Sequence, residues 1–567
     1  MPAHRALSCA DVLYTILEHF QSPEVSWYDY DPATNDASAW YVRDSDASNK
    51  STLARCARVS RAFFYPAVAL LWRDVDDLSG LFALLGAVSL SSEEPHGSLM
   101  RLPAKQVYHL LPNCVNLTHS VHALQIQRLA YLPQQAARAL CYARHVRVVG
   151  GSLKSADSAT HVPSWIKPQT LLPQLNRLRW VQRGSDSMDL IRLISSSLRS
   201  LHVVFKKPLS NHNDPTNEGS LPSNEASVRE LAGQIASKAP NLRYLRITTS
   251  GEVKESWFEP VGDLRELETF DIFEPIYGQV TTHPLLRPLA SLPNLQHLKL
   301  RLPEAAVPLF ESNAFPSLRT LTLDAMFAPL VSIPVLLSAI SSSRLTTLAL
   351  LNCECATTSV HAKLHEVTDI IRSKFSTSLR EFTLSLRGIG PEQEQPQPLL
   401  RTMDPLLQVR GLVDVRLTIA PEVAILAASA NDLKTMCEAW PNATRLHLSY
   451  FPSSAPTPLC DLAAVSRHCP NLTELILPGI DGSAPVADNL PSSKDVSALG
   501  GLRSLKLSDA GWSSRIPDPR RLAKCLDALF PAVDWHSPPL ISAAWSEAVQ
   551  ELVQLRITRL CGGPRAW

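Results

Sequence analysis

Residues 293–302 read Pro293-Asn294-Leu295-Gln296-His297-Leu298-Lys299-Leu300-Arg301-Leu302. Leu295, Leu298 and Leu300 form an apolar-x-x-apolar-x-apolar unit behind a Pro-Asn breaker. From Leu298 onward apolar and polar residues alternate, the period-two pattern of a strand with one buried face. The same unit stands at Leu175-Leu178-Trp180, Leu198-Leu201-Val203, Leu242-Leu245-Ile247, Leu267-Phe270-Ile272 and Leu318-Leu321-Leu323. It returns at Leu345-Leu348-Leu350, Leu379-Phe382-Leu384, Leu412-Val415-Leu417, Ala443-Leu446-Leu448, Leu472-Leu475-Leu477 and Leu502-Leu505-Leu507.

A helical stretch usually precedes the unit, as at Val228–Lys238, Ile333–Ser343, His365–Phe375, Leu433–Trp440, Leu459–His468 and Arg520–Phe530. Breakers such as Pro240-Asn241, Pro441-Asn442 and Pro470-Asn471 separate helix from strand, because proline cannot continue a helix. One helix and one strand cannot bury an apolar face alone, so the units must stack. Successive copies mostly lie 23 to 34 residues apart, apart from a 44-residue gap after Leu198 whose polar segment Pro208–Ser227 reads as a loop. That period is the range of leucine-rich repeats. The expected fold class is α/β: a leucine-rich-repeat-like solenoid over residues 166–535, parallel strands on its concave face and helices outside. The asparagine that usually follows such a strand is mostly missing; Cys353 holds that position once, and Pro303, Met326, Ile480 and Ala510 hold it elsewhere.

Composition bounds the rest. At 567 residues the chain exceeds a single globular core, and 45% hydrophobic with 19% charged residues is the balance of an ordered protein. A net charge of +1 provides no global field toward nucleic acid or an anionic membrane, so neither is expected as a partner. No apolar run approaches the roughly 18 residues of a membrane span. The start Met1-Pro2-Ala3-His4-Arg5-Ala6 lacks a signal-peptide core, and eleven scattered cysteines fit reduced thiols, so the expected location is cytoplasmic, nuclear or both. Sequons at Asn116, Asn442 and Asn471 then read as chance.

Residues 1–85 read as a separate helical block, and 86–165 as a mixed linking or capping region. Leu13, Ile16, Leu17 and Phe20 fall at one helical spacing. Further on stand Leu53-Ala54-Arg55-Cys56-Ala57-Arg58-Val59-Ser60-Arg61-Ala62-Phe63 and then Leu71-Trp72. This pattern resembles an F-box, in the divergent form of fungal F-box proteins with leucine-rich-like repeats. Ser8-Cys9 replace the usual proline, Ser60 stands where cysteine is common, and an insertion of acidic character, Gln21–Lys50, splits the box.

The resemblance implies docking to the SKP-type adaptor of a cullin–RING ubiquitin ligase, with the chain as its substrate-recognition subunit. It nominates Leu13, Ile16, Leu17, Leu53, Val59 and Phe63 for adaptor contact or for the small core of the box, with Trp72 packed inside. The alternative is a repeat scaffold that binds proteins without ligase function, its box degenerate.

Catalytic motifs are wanting: no phosphate-binding glycine loop, dinucleotide fingerprint, nucleophile elbow or zinc-protease helix occurs. No catalytic residue, enzyme activity or cofactor is expected. Cys353, Cys355, His361 and His365 have ligand types that suit zinc. Cys353 already has a repeat position, however, so the expectation is structural cysteines with surface histidines and no metal. Side chains between the apolar strand residues point away from the core. Arg177, Arg179, Tyr244, Arg246, His297, Lys299 and Arg301 are therefore the expected target-binding residues, a basic set suited to an acidic or phosphorylated protein segment. Later strands offer Thr320, Thr322, Asp324, Glu381, Asp414, Arg416, Arg445, His447, Glu474 and Lys506. The tail 536–567 reads as a capping helix, with partner binding as the lesser alternative.

Overall fold

The computed structural model describes chiefly residues 9–20, 45–75, 140–150, 171–183, 189–206, 225–249, 259–272, 286–302, 313–326, 330–354, 360–387, 397–420, 432–450, 469–478, 501–507, 518–530 and 543–560. Two compact units divide the chain: Met1–Gly251 with Asp263–Leu267, and Glu252–Gly262 with Glu268–Trp567.

The first unit opens with three helices, α1 (Ala10–Glu18), α2 (Ser45–Cys56) and α3 (Arg61–Leu71). Both α1 and α2 pack on α3. Their small core holds Leu17, Leu53, Ala57, Ala67, Val68 and Leu70, with Phe63, Phe64 and Trp72 half-buried against it. Pro66 lies inside α3, where it removes one backbone donor from the helix ladder. The Trp72 ring stacks on Tyr142 with centroids 5.2 Å apart.

Five parallel strands follow: β1 (Asp74–Val75), β2 (Val148–Val149), β3 (Arg177–Arg183), β4 (Ser200–Lys206) and β5 (Tyr244–Thr249). They pair in sequence order, with Arg177, Ser200 and Tyr244 in one row and Arg179, His202 and Arg246 in the next. Helices α4 (Asp189–Leu193) and α5 (Glu225–Lys238) connect the last three and touch each other.

The second unit repeats the scheme through nine parallel strands of one sheet among the described residues. These are β6 (Thr269–Ile272), β7 (His297–Arg301), β8 (Thr320–Asp324), β9 (Thr347–Glu354), β10 (Glu381–Arg387), β11 (Asp414–Ile419), β12 (Arg445–Ser449), β13 (Glu474–Leu477) and β14 (Ser504–Leu507). Each pairs with the next in sequence order. Connecting helices include α6 (Leu286–Ala290), α7 (Ser332–Ala339), α8 (Val360–Phe375), α9 (Leu399–Leu407) and α10 (Asp432–Ala439). Helices α7 to α10 each contact the next. The fold is thus a leucine-rich-repeat-like α/β solenoid, and every apolar unit read from the sequence supplies a strand, its leucines buried wherever their side chains are described.

A backbone device stands where the side-chain asparagine ladder is missing. At most strand entries one carbonyl accepts two successive N–H groups from the next repeat. Thr346 and Thr347 donate to Arg319 O at 2.8 and 3.1 Å, and Val413 and Asp414 donate to Arg380 O at 2.7 and 3.1 Å. The asparagines of the Pro-Asn breakers reach the previous turn: Asn241 Nδ2 donates to Ser196 O at 3.2 Å and Asn442 Nδ2 to Arg410 O at 3.4 Å. These bonds satisfy polar groups that stacking would otherwise bury alone.

The tail forms α12 (Ala543–Leu560) against α11 (Pro519–Leu529), burying Ala548, Val549 and Leu552. Among the described residues no helix is long and apolar enough to cross a membrane. Most of the Gln21–Lys50 insertion and of 86–165 lies outside the described residues, although α2 starts at Ser45, inside that insertion.

Candidate protein-binding surfaces

The helical block divides its apolar residues between core and surface. On α1, Leu13 and Leu17 are buried, while Val12 and Ile16, with Phe20 in the turn after the helix, are exposed. At 3.6 residues per turn Ile16 sits only about 60° around the helix from Leu13. The packing of α3 on α1 leaves half of the apolar stripe on the surface. Val59, between α2 and α3, is 70% exposed, and Tyr65 on α3 is 64% exposed.

Of the residues nominated for adaptor contact, Leu13, Leu17 and Leu53 are core, Phe63 is half-buried, and Ile16 and Val59 are displayed. Val12, Phe20 and Tyr65 join the displayed set. Helical periodicity flags the stripe but does not say which edge of it a partner helix covers.

On the first unit's strand face Arg177, Arg179 and Arg246 are half-buried, and Tyr244 is buried beneath them. His202 stands between Arg179 and Arg246 in the same row, 5% exposed, its Nε2 3.0 Å from Thr248 Oγ1. Burial, then Arg246 and Arg179, push its pKa down to about 2. The ring is therefore neutral and the row's positive charge rests on the two arginines. Burial and Arg246 also lower the pKa of Arg179. Gly150 (φ +103°) makes the close approach possible: a Cβ there would stand 2.7 Å from Arg179 Cβ.

On the second unit's strand face charges meet both within and across strands. Arg301 is held by fully buried Asp324, Asp414 takes Arg416 at 3.1 Å and Arg445 at 2.7 Å, and Lys506 meets Glu474 at 3.0 Å. Arg301, expected to bind a target, thus serves the fold. His297 stays exposed and Lys299 half-buried beside it. The sequence gives no sign of the cross-strand pairs Arg301–Asp324, Arg445–Asp414 and Lys506–Glu474, whose members lie in different repeats.

His361 Nδ1 lies 3.1 Å from Thr402 Oγ1, and the Cys353 thiol is buried; Cys355 lies outside the described residues. Among the described residues no group of three His, Cys, Asp or Glu side chains is placed to hold a metal ion.

No family model matches this chain, and no curated protein matches it. Among solved structures it is similar to an internalin from Listeria monocytogenes at 13% identity and a TM-score of 0.34, over 67% of this chain and 91% of that one. The fold assignment rests on the strand register described above and not on that similarity.

Proposed function

We propose that this chain is the substrate-recognition subunit of a SKP–cullin–F-box ubiquitin ligase. Its helical block docks the adaptor, and through it the cullin, while the strand face holds a target protein. It contributes no catalytic group and acts by holding the target near a ubiquitin-charged enzyme.

The observation that carries the reading is the displayed set Val12, Ile16, Phe20, Val59 and Tyr65 on a three-helix block whose sequence resembles an F-box. Protein interfaces are anchored by such aromatic and aliphatic side chains, seated in the partner's pockets. The first unit's Arg177, Arg179 and Arg246 suit an acidic or phosphorylated target segment, since a guanidinium pairs with carboxylate or phosphate through several N–H groups.

Co-purification of the full-length chain with a SKP-type adaptor tests the proposal. Retention by wild type and loss by a folded Ile16→Asp/Val59→Asp variant supports it. No retention by wild type leaves a protein-binding repeat scaffold without ligase function.

A further inference from the structure

Within the first unit, four separate segments meet around a partly open cavity of about 330 Å³. Its walls are Tyr14 of α1, Ala69 and Arg73 at the end of α3, His145 and Arg147 before β2, and Gln174 before β3. That volume lies at the low end of the roughly 300–1,000 Å³ typical of small-molecule sites. All the walls except Ala69 carry a polar group that can donate a hydrogen bond.

The charge balance favours an anion. Arg73 Nη1 meets Glu18 Oε1 at 3.1 Å. Arg147 makes no ion pair among the described residues, and Arg144 stands beside His145. Arg144 Nε donates to His145 Nε2 at 3.4 Å, so the proton of a neutral ring sits on Nδ1. Burial, then Arg144 and Arg147, hold the His145 pKa below its ordinary value, which keeps the ring neutral and a donor. Two guanidiniums, an imidazole, a phenol and an amide thus belong to the residues that line one cavity. A planar carboxylate has two oxygens to meet them, whereas a tetrahedral phosphate has three or four.

We infer that this cavity, where the helical block meets the first strands, binds the phosphate group of a soluble small molecule through Arg73, Arg147 and His145. The inference does not depend on the ligase reading.

Titration calorimetry of the full-length protein with inorganic phosphate, at constant ionic strength against chloride, tests it. The expected result is saturable one-site binding, weakened about tenfold or more by Arg147→Ala, as loss of a charge-assisted pair implies. Gln174→Ala, a neutral change at an exposed wall residue, weakens binding less, and Arg58→Ala, outside the cavity, leaves it unchanged. Circular dichroism confirms that each variant is folded. Absence of saturable binding overturns the inference, as does binding that survives Arg147→Ala or falls equally in Arg58→Ala.

Discussion

Arg301 and Asp324 meet across β7 and β8, with Nε and Nη2 of the guanidinium each 2.9 Å from Oδ2 of the carboxylate. The other oxygen accepts the Met326 N–H at 3.2 Å and Asn352 Nδ2 at 3.1 Å, so a fully buried carboxylate has a partner on each oxygen. Removing one member of a buried pair strands the other charge. Asp324→Ala should therefore cost about 3–5 kcal/mol in a denaturant titration. Asn352 has a φ of +53°, so Asn352→Gly removes its side-chain bond without backbone strain and should cost only about 1 kcal/mol.

The division of α1 gives a second prediction. Leu17→Ala opens the three-helix core and should destabilise by about 2–5 kcal/mol. Val59→Asp changes an exposed residue and should leave stability within about 0.5 kcal/mol. Thermal unfolding of the two variants checks the split; equal destabilisation would mean that Val59 belongs to the core.

His202 makes stability depend on pH. An unfolded histidine takes up its proton near pH 6.5, whereas the folded ring resists protonation down to about pH 2. Below pH 6.5 the unfolded state binds the extra proton, so this contribution is complete above 6.5 and is lost as pH falls toward 2. The slope is up to about 1.4 kcal/mol per pH unit, or about 2 kcal/mol by pH 5. Denaturant midpoints at pH 7.5 and 5 should differ more for wild type than for His202→Phe, which cannot titrate.

At the other end, Asp527 on α11 takes Arg556 Nε at 2.9 Å and Arg559 Nη2 at 2.5 Å from α12. Arg556 also donates to Phe530 O and Val533 O, tying the helix to the turn behind α11. Asp527→Ala should loosen α12 and speed limited proteolysis within 543–560, with fragments resolved by mass spectrometry. An unchanged digestion pattern would show that Ala548, Val549 and Leu552 hold the helix without the ion pairs.

The strands were legible in the sequence because a half-buried strand writes its burial as strict alternation. Leu298 and Leu300 point in, and His297 and Lys299 point out. Five expected helices are found with shifted ends, as when α5 begins at Glu225 instead of Val228, while Leu459–His468 lies largely outside the described residues and α4, α6 and α9 were not among those expected. Register across strands leaves no such trace. Nothing local marks Arg301 as the partner of Asp324, His202 as buried between two arginines, or Tyr244 as covered. Likewise α1 shows an apolar stripe, but only the packing of α2 and α3 decides that Leu13 and Leu17 turn inward while Ile16 turns out.

The most direct test of the central claim is the dissociation constant of the full-length chain for a SKP-type adaptor, measured by titration calorimetry for wild type and Val59→Asp. The account predicts saturable one-to-one binding by wild type, and at least tenfold weaker binding by a variant of unchanged stability. No binding by wild type, or equal affinity for the two proteins, would contradict it.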